Sequence, residues 1–118
     1  MTYGEFNRFC GALPATSYVQ QWGGAHVWKV GGKVFAIGGW DDAQPAFTFK
    51  VNGTSYQMLK TQPGLRPAPY LASRGLTWIQ HYGQPGLSDD ELARYLELSH
   101  HIVASGLSMK QRRILGLP

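Results

Sequence analysis

Cysteine is nearly missing from this sequence: Cys10 is the only one among 118 residues, so no internal disulfide can form. The chain therefore has no need of an oxidising compartment. No apolar run approaches the ~18 residues that a membrane span requires. Residues 1–5 also lack the basic-then-apolar layout of a secretory signal. We therefore expect a cytoplasmic protein with no membrane partner.

Acidic residues are also scarce. Seven Asp and Glu face eleven Lys and Arg, which gives a net charge of +4, and no acid lies between Asp42 and Asp89. A moderate positive charge permits a polyanionic partner such as DNA without requiring one. The cations of the acid-free stretch are Lys50, Lys60, Arg66 and Arg74, and those near the C-terminus are Lys110, Arg112 and Arg113.

Patterns that carry enzyme chemistry are missing as well. The sequence has no Cys pair, no H-E-x-x-H, no G-x-S-x-G and no glycine-rich phosphate loop. His100 and His101 are adjacent, so on a helix they point about 100° apart and cannot hold one metal together. The acidic pairs Asp41-Asp42 and Asp89-Asp90 suit a turn and a helix start. We therefore expect no metal, no cofactor and no enzymatic activity.

Two capping boxes mark the starts of predicted helices. The first, Thr2-x-x-Glu5, opens an amphipathic segment that carries Cys10 on its apolar stripe, where a free cysteine serves as small core filler. The second, Ser88-x-x-Glu91, opens a longer helix with one apolar face. The segments predicted as helices are 2–13, 53–62, 88–106 and a final turn at 108–115.

Glycine pairs divide residues 17–51 into short β runs. The strongest hairpin signal is Gly31-Gly32, because glycine tolerates the positive φ that a two-residue hairpin turn requires. Such a turn would set Trp28 opposite Phe35 and Val30 opposite Lys33. Further strands are predicted at 47–51 and 76–82.

Strand alternation assigns the hairpin side chains to two faces of the sheet. One face is predicted to join the core, and the second is left open to water or to a partner. The core side receives His26, Trp28, Val30, Phe35 and Ile37, and the second side receives Val27, Lys29, Val34 and Ala36.

The order of these elements predicts an α+β fold with a single domain over residues 1–118. It is a two-layer α/β sandwich, in which a twisted antiparallel sheet of about five strands carries the N- and C-terminal helices on one face.

Five segments carry a likeness that spans most of the chain. They are Thr2-Tyr3-Gly4-Glu5-Phe6 with Leu13-Pro14, Val27-Trp28-Lys29-Val30-Gly31-Gly32-Lys33-Val34-Phe35-Ala36, Pro63-Gly64-Leu65-Arg66-Pro67-Ala68 with Tyr70, Trp78, and Leu87-Ser88-Asp89-Asp90-Glu91-Leu92 with Ser99. Together they resemble the MmcQ/YjbR family of small bacterial proteins. The resemblance implies a CyaY-like fold, similar to secretion-chaperone-like folds, and family members are often described as DNA-binding. The chain departs from the family where His100 follows Ser99, since tyrosine is typical there.

Two functions fit these observations. The leading hypothesis is a DNA-binding protein in which the hairpin and the 66–74 segment contact phosphates, because phosphate contacts need cations but no deep pocket. The alternative is a protein-interaction or small-ligand-binding module that uses the open sheet face, because exposed apolar patches usually mark partners. The candidate nucleic-acid-binding residues are Lys29, Lys33, Arg66 and Arg74.

Overall fold

A computed structural model describes residues 1–40, 45–69, 71 and 76–118. Within these residues, no helix has the length and apolar character needed to cross a bilayer. The helices are α1 (Tyr3–Ala12), α2 (Gly53–Leu59), α3 (Asp89–Ser105) and α4 (Met109–Ile114). The strands are β1 (Thr16–Gln21), β2 (Ala25–Val30), β3 (Lys33–Gly38), β4 (Phe47–Lys50), β5 (Leu65–Pro67) and β6 (Trp78–His81).

The six strands form one open antiparallel sheet in the order β1-β2-β3-β4-β6-β5. The predicted α+β class with an antiparallel sheet is confirmed. The sheet has one strand more than predicted, because Leu65–Pro67 pairs with β6 as a short edge strand. Proline suits an edge strand, where its missing N–H leaves no ladder bond unmade.

Local signals set the helix boundaries as predicted. The Thr2 hydroxyl accepts the N–H of Glu5 and the Glu5 carboxylate accepts the N–H of Thr2, which completes the capping box of α1. Ser88 and Glu91 repeat this arrangement at the start of α3. α1 ends at Ala12, two residues before Pro14, as the steric effect of proline on preceding residues requires.

Helices α1, α2 and α3 pack on one face of the sheet, here called the helix-covered face. Aromatic side chains from both layers fill the space between them, including a contact of 5.1 Å between the ring centroids of Phe6 and Phe47. The buried core residues of this face include Phe6, Cys10, Val30, Phe35, Phe47, Phe49, Leu59, Ile79, Leu92 and Leu96.

A β-bulge interrupts the β2–β3 hairpin and changes part of the predicted register. Val30 lies opposite Lys33 as predicted, but Trp28 pairs with Ala36 instead of Phe35. The prediction for Trp28 was wrong because Phe35 is an extra residue in β3 with no partner on β2. The pairing beyond Phe35 is therefore shifted by one residue. Ala36 therefore joins the helix-covered core and not the second face.

Ser99 of α3 closes this bulge. Its hydroxyl donates to the Phe35 carbonyl at 2.6 Å and accepts the Lys50 N–H at 2.8 Å, so two backbone groups of the sheet are paired by a helix side chain. Ser99 is fully buried. One buried hydroxyl thus joins α3 to β3 and β4.

The second face of the sheet is not open over its central strands, contrary to the prediction. Val27 and Ile37 are cross-strand partners on this face and both are buried. Val19 and Val34 pack beside them, and Trp40 and Leu71 cover them from outside the strands. Ile37, predicted for the core side, belongs to this smaller apolar cluster.

Candidate nucleic-acid interface

The predicted cations occupy three separate positions. Lys29 is half-buried on the second face of β2, Lys33 is exposed directly after the hairpin turn, and Arg66 lies on edge strand β5. Four strand spacings separate β2 from β5, which is about 19 Å. The structure therefore does not bring Arg66 together with the hairpin lysines. Arg74 lies outside the described residues.

Arg66 is held against the second face of the sheet. Its Nε donates to the Gln80 side-chain carbonyl at 2.7 Å, and its guanidinium carbon lies 4.4 Å from the centroid of the Tyr82 ring. Stacking on an aromatic face suits the planar guanidinium group. Arg66 is thus a positioned cation beside a polar row of the sheet.

Helix α4, which lies beside the tip of the β2–β3 hairpin, carries a different set of cations. The corner between α3 and α4 packs on this tip, and a Cβ placed on Gly31 would lie only 2.6 Å from Leu107 Cδ1. A cavity of about 420 Å³ lies between the turn and α4 and is lined by Ala15, Ser17, Gly31, Gly32, Gln111, Ile114 and Leu115. We call this part of the molecule the basic end; its cations are Lys33, Lys110, Arg112 and Arg113.

No acid follows Glu97 in the sequence, and none of the six strands contains Asp or Glu. Lys33, Lys110 and Arg113 are exposed, whereas Arg112 is half-buried under the C-terminal residues and its Nη1 reaches the Pro118 carbonyl at 3.5 Å. The sequence signal for this surface is the run without acids after Glu97. The contact of Leu107 with Gly31, which joins that run to the hairpin, has no local signal.

Three acidic residues lie at the opposite end of α3. Asp89, Asp90 and Glu91 occupy its first turn, and the 17-residue helix places them about 25 Å from its C-terminal end. The Met1 ammonium group pairs with Asp89 at 2.8 Å. Hydrogen bonds from Ser88, first from its backbone N–H, lower the pKa of Glu91. Charge is therefore distributed unequally along α3: three acids occupy its first turn, and the cations of α4 follow its C-terminal end.

His26 is part of a polar network that links three elements. His26 Nδ1 lies 2.8 Å from the Tyr18 hydroxyl and 3.4 Å from Asn7 Nδ2, and Asn7 Oδ1 accepts the Trp28 indole N–H. If one ring nitrogen accepts both bonds, His26 carries its proton on Nε2. This network ties α1 to β1 and β2. Among the described residues, no three His, Cys, Asp or Glu side chains are grouped as a metal site would need.

His100, the departure from the family pattern, has a structural partner. Its Nε2 lies 2.8 Å from the Pro14 carbonyl, so it donates to the second residue after the end of α1. Its ring meets Phe35 edge-on, with 5.2 Å between centroids. Cys10 is fully buried in the same layer, as predicted, and burial raises the pKa of its thiol. A thiol in this setting is core filler.

Comparison with known proteins agrees with this geometry. The YjbR family model matches residues 11–102. The crystal structure of a Deinococcus radiodurans protein with a DUF419 domain is similar, with a TM-score of 0.84 and 20% sequence identity; the match covers 99% of this chain and 89% of that chain. At this identity the likeness establishes the fold alone. No curated protein matches the chain. The family match spans well over half of the sequence and confirms the resemblance read from its motifs, so this chain belongs to the YjbR family.

Proposed function

We propose that this protein is a non-enzymatic nucleic-acid-binding protein whose basic end contacts phosphate groups. The proposal is supported by the meeting of the hairpin tip with α4. Lys33 is exposed directly after the turn, Lys110 and Arg113 are exposed on α4, and no acid lies in the strands or after Glu97. Exposed cations of this kind supply most of the sequence-independent affinity for nucleic acids.

The geometry of the basic end suits a backbone contact more than base readout. Lys110 and Arg113 lie three residues apart on α4, so they are neighbours on one ridge of the helix. The hairpin adds Lys33 from a different element. Cations from two elements can follow a phosphate chain without entering a groove, and phosphate contacts position a protein without specifying a sequence.

The charge polarity along α3 supports the same orientation. The field of the cations attracts a polyanion, whereas Asp89, Asp90 and Glu91 repel it from the other end. We therefore expect a nucleic acid to approach the basic end first. Arg66 has no part in this surface, because it is held on the far edge of the sheet.

The test is fluorescence anisotropy of a labelled 20-base-pair duplex, titrated with the protein over a series of salt concentrations. Three phosphate contacts predict that log K falls against log salt with a slope of about −2.7. Two duplexes of unrelated sequence should give similar affinities at each salt concentration. The proposal is wrong if no binding occurs at low salt, or if binding occurs with a flat salt response.

A further inference from the structure

The cavity between the hairpin turn and α4 has an exposed apolar wall. Its volume of about 420 Å³ lies within the range of ~300–1,000 Å³ that is typical of small-molecule sites. Ile114 and Leu115 form the wall on the side of α4, and the side chain of Ile114 is 73% exposed. No residue of α4 is buried, so these apolar side chains lie outside the core. Apolar surface that faces an open cavity is a feature of binding sites.

The rest of the lining consists of the turn and residues with small side chains. Gly31 and Gly32 line the cavity together with Ala15 and Ser17. Because the two glycines have no side chain, a ligand can approach the backbone of the turn closely. The cavity can therefore accept a flat ring between this backbone and the apolar wall of α4.

Two polar side chains also line the cavity. Gln111 is exposed, and its Oε1 accepts the backbone N–H and the hydroxyl of Ser108 at 3.4 Å each. The Gln111 Nε2 group is therefore the part of the amide that is left to donate to a ligand. Ser17 is exposed on β1, and its hydroxyl can donate or accept. A ring in the cavity can thus form hydrogen bonds at its edge.

Cations adjoin the cavity on two of its sides. On α4, Lys110 and Arg113 each directly precede a residue that lines the cavity, and on the hairpin Lys33 directly follows Gly32. All three cations are exposed. A matching ligand carries a flat ring with polar edges and has negative charge on both sides of that ring. A nucleic-acid strand with unpaired bases has this chemistry, because each base lies between two phosphates.

We propose that this cavity binds one unpaired base of a single-stranded nucleic acid, while the cations of the basic end contact the phosphates on either side of that base. The inference rests on the proposed function and narrows its ligand to nucleic acids with unpaired bases. The base lies against Ile114 and Leu115, with its edge toward the Gln111 amide. Contact through the face of a base tolerates any base, so it agrees with phosphate contacts that do not specify a sequence. A paired base in a duplex is stacked on its neighbours and cannot enter the cavity without being extruded.

The test uses fluorescence anisotropy with two labelled strands of twelve nucleotides, one of thymidines and one abasic. Because the two strands carry the same charge, their phosphate contacts are equal and a difference in affinity comes from the base. We expect the thymidine strand to bind about tenfold more tightly than the abasic strand at each salt concentration. The two salt slopes should be alike.

The outcomes separate this inference from the proposed function. Equal, salt-dependent binding of the two strands overturns the base site and leaves the phosphate contacts in place. Binding of the duplex without binding of either single strand also overturns the base site alone. If neither strand nor the duplex binds at low salt, both proposals are wrong.

Two truncations on the same helix locate the contact with the base. Ile114→Ala removes most of the exposed apolar wall, so the preference for the thymidine strand should fall from about tenfold to about twofold. Met109→Ala is the matched control, because Met109 is 70% exposed on α4 but does not line the cavity. It should keep the tenfold preference, and neither variant should change binding of the abasic strand. A full preference in Ile114→Ala, or an equal loss in the two variants, would refute the assignment.

Discussion

The two faces of the sheet treat their polar groups differently. On the helix-covered face, Ser99 pairs two backbone groups at a bulge and the Trp28 indole N–H is paired with Asn7. On the second face, Thr48 Oγ1 and Gln80 Nε2 are equally buried but unpaired. Paired buried groups stabilise a fold, whereas unpaired ones destabilise it. The difference indicates that buried hydrogen bonds stabilise the first face more than the second.

Removal of the Ser99 hydroxyl should have the largest effect. In Ser99→Ala the Phe35 carbonyl and the Lys50 N–H both lose their partner in a buried region. We expect the free energy of unfolding to fall by about 3 kcal/mol, measured by urea denaturation. Ser105→Ala is the control on the same helix, because its hydroxyl bonds only the His101 carbonyl at an exposed position. Equal losses in the two variants would contradict the role given to Ser99.

The hairpin tip offers a second test, at the edge of the helix-covered face. Gly31 and Gly32 both have positive φ values, 59° and 79°, but a Cβ meets Leu107 only at Gly31. Gly32→Ala should cost about 1 kcal/mol from backbone strain alone. Gly31→Ala should cost about 3 kcal/mol, because Leu107 must also shift. The difference between the two melting curves measures the packing of Leu107 on the hairpin turn, and a difference of zero would show that this packing adds no stability.

On the second face, we expect removal of a hydroxyl to raise the free energy of unfolding. Thr48→Val replaces an unpaired buried hydroxyl with a methyl group of similar size. We expect the free energy of unfolding to rise by about 1 kcal/mol. Urea denaturation of Thr48→Val and Ser99→Ala under the same conditions compares the two faces directly. A loss of stability in Thr48→Val would show that the hydroxyl is paired in solution and would erase the difference between the faces.

We expect the smallest effect at His81, where the helix-covered face also contains an unpaired buried atom. Its Nε2 lies 3.3 Å from the Leu87 carbonyl, but its Nδ1 is buried without a partner. Burial lowers the pKa of His81, so the unfolded chain binds a proton more readily than the folded one. Stability should be complete above about pH 6.5 and decline as the pH falls through the lower pKa of the folded state.

The measurement is urea denaturation at several pH values between 5 and 7.5. His81→Asn should flatten the decline, and His101→Asn, at an exposed position of α3, should leave it unchanged. A decline of the same size in all three proteins would show that other groups cause it.

Local signals predicted the parts of the fold that depend on neighbouring residues. The boxes at Thr2 and Ser88 and the Gly31-Gly32 turn each act within a few residues, and the structure has all three. The Phe35 bulge was not predictable in the same way, because the group that pairs its carbonyl is Ser99, 64 residues later. The sequence did not predict that the second face is covered. Trp40 and Leu71, which cover it, lie outside the strands and follow no apolar periodicity.

The candidate site shows the same division between local and distant information. Composition identified basic stretches, and Lys33 remains in the interface. Which stretches meet is set by the contact of Leu107 with Gly31, between residues 76 positions apart. Because of that contact, we place the cations of α4 in the interface and leave Arg66 out of it. The unpaired donors of Thr48 and Gln80 likewise become visible only when β4 and β6 are placed side by side.

The most direct test of the account compares two triple variants in the duplex-binding salt series. Lys33→Gln, Lys110→Gln and Arg113→Gln together neutralise the basic end, and Arg8→Gln, Lys60→Gln and Arg94→Gln together remove the same charge elsewhere. We expect the first variant to lose at least tenfold in affinity at low salt and its salt slope to flatten by about 2.7. The second variant should keep most of both. Equal losses in the two variants would contradict a binding surface at the basic end.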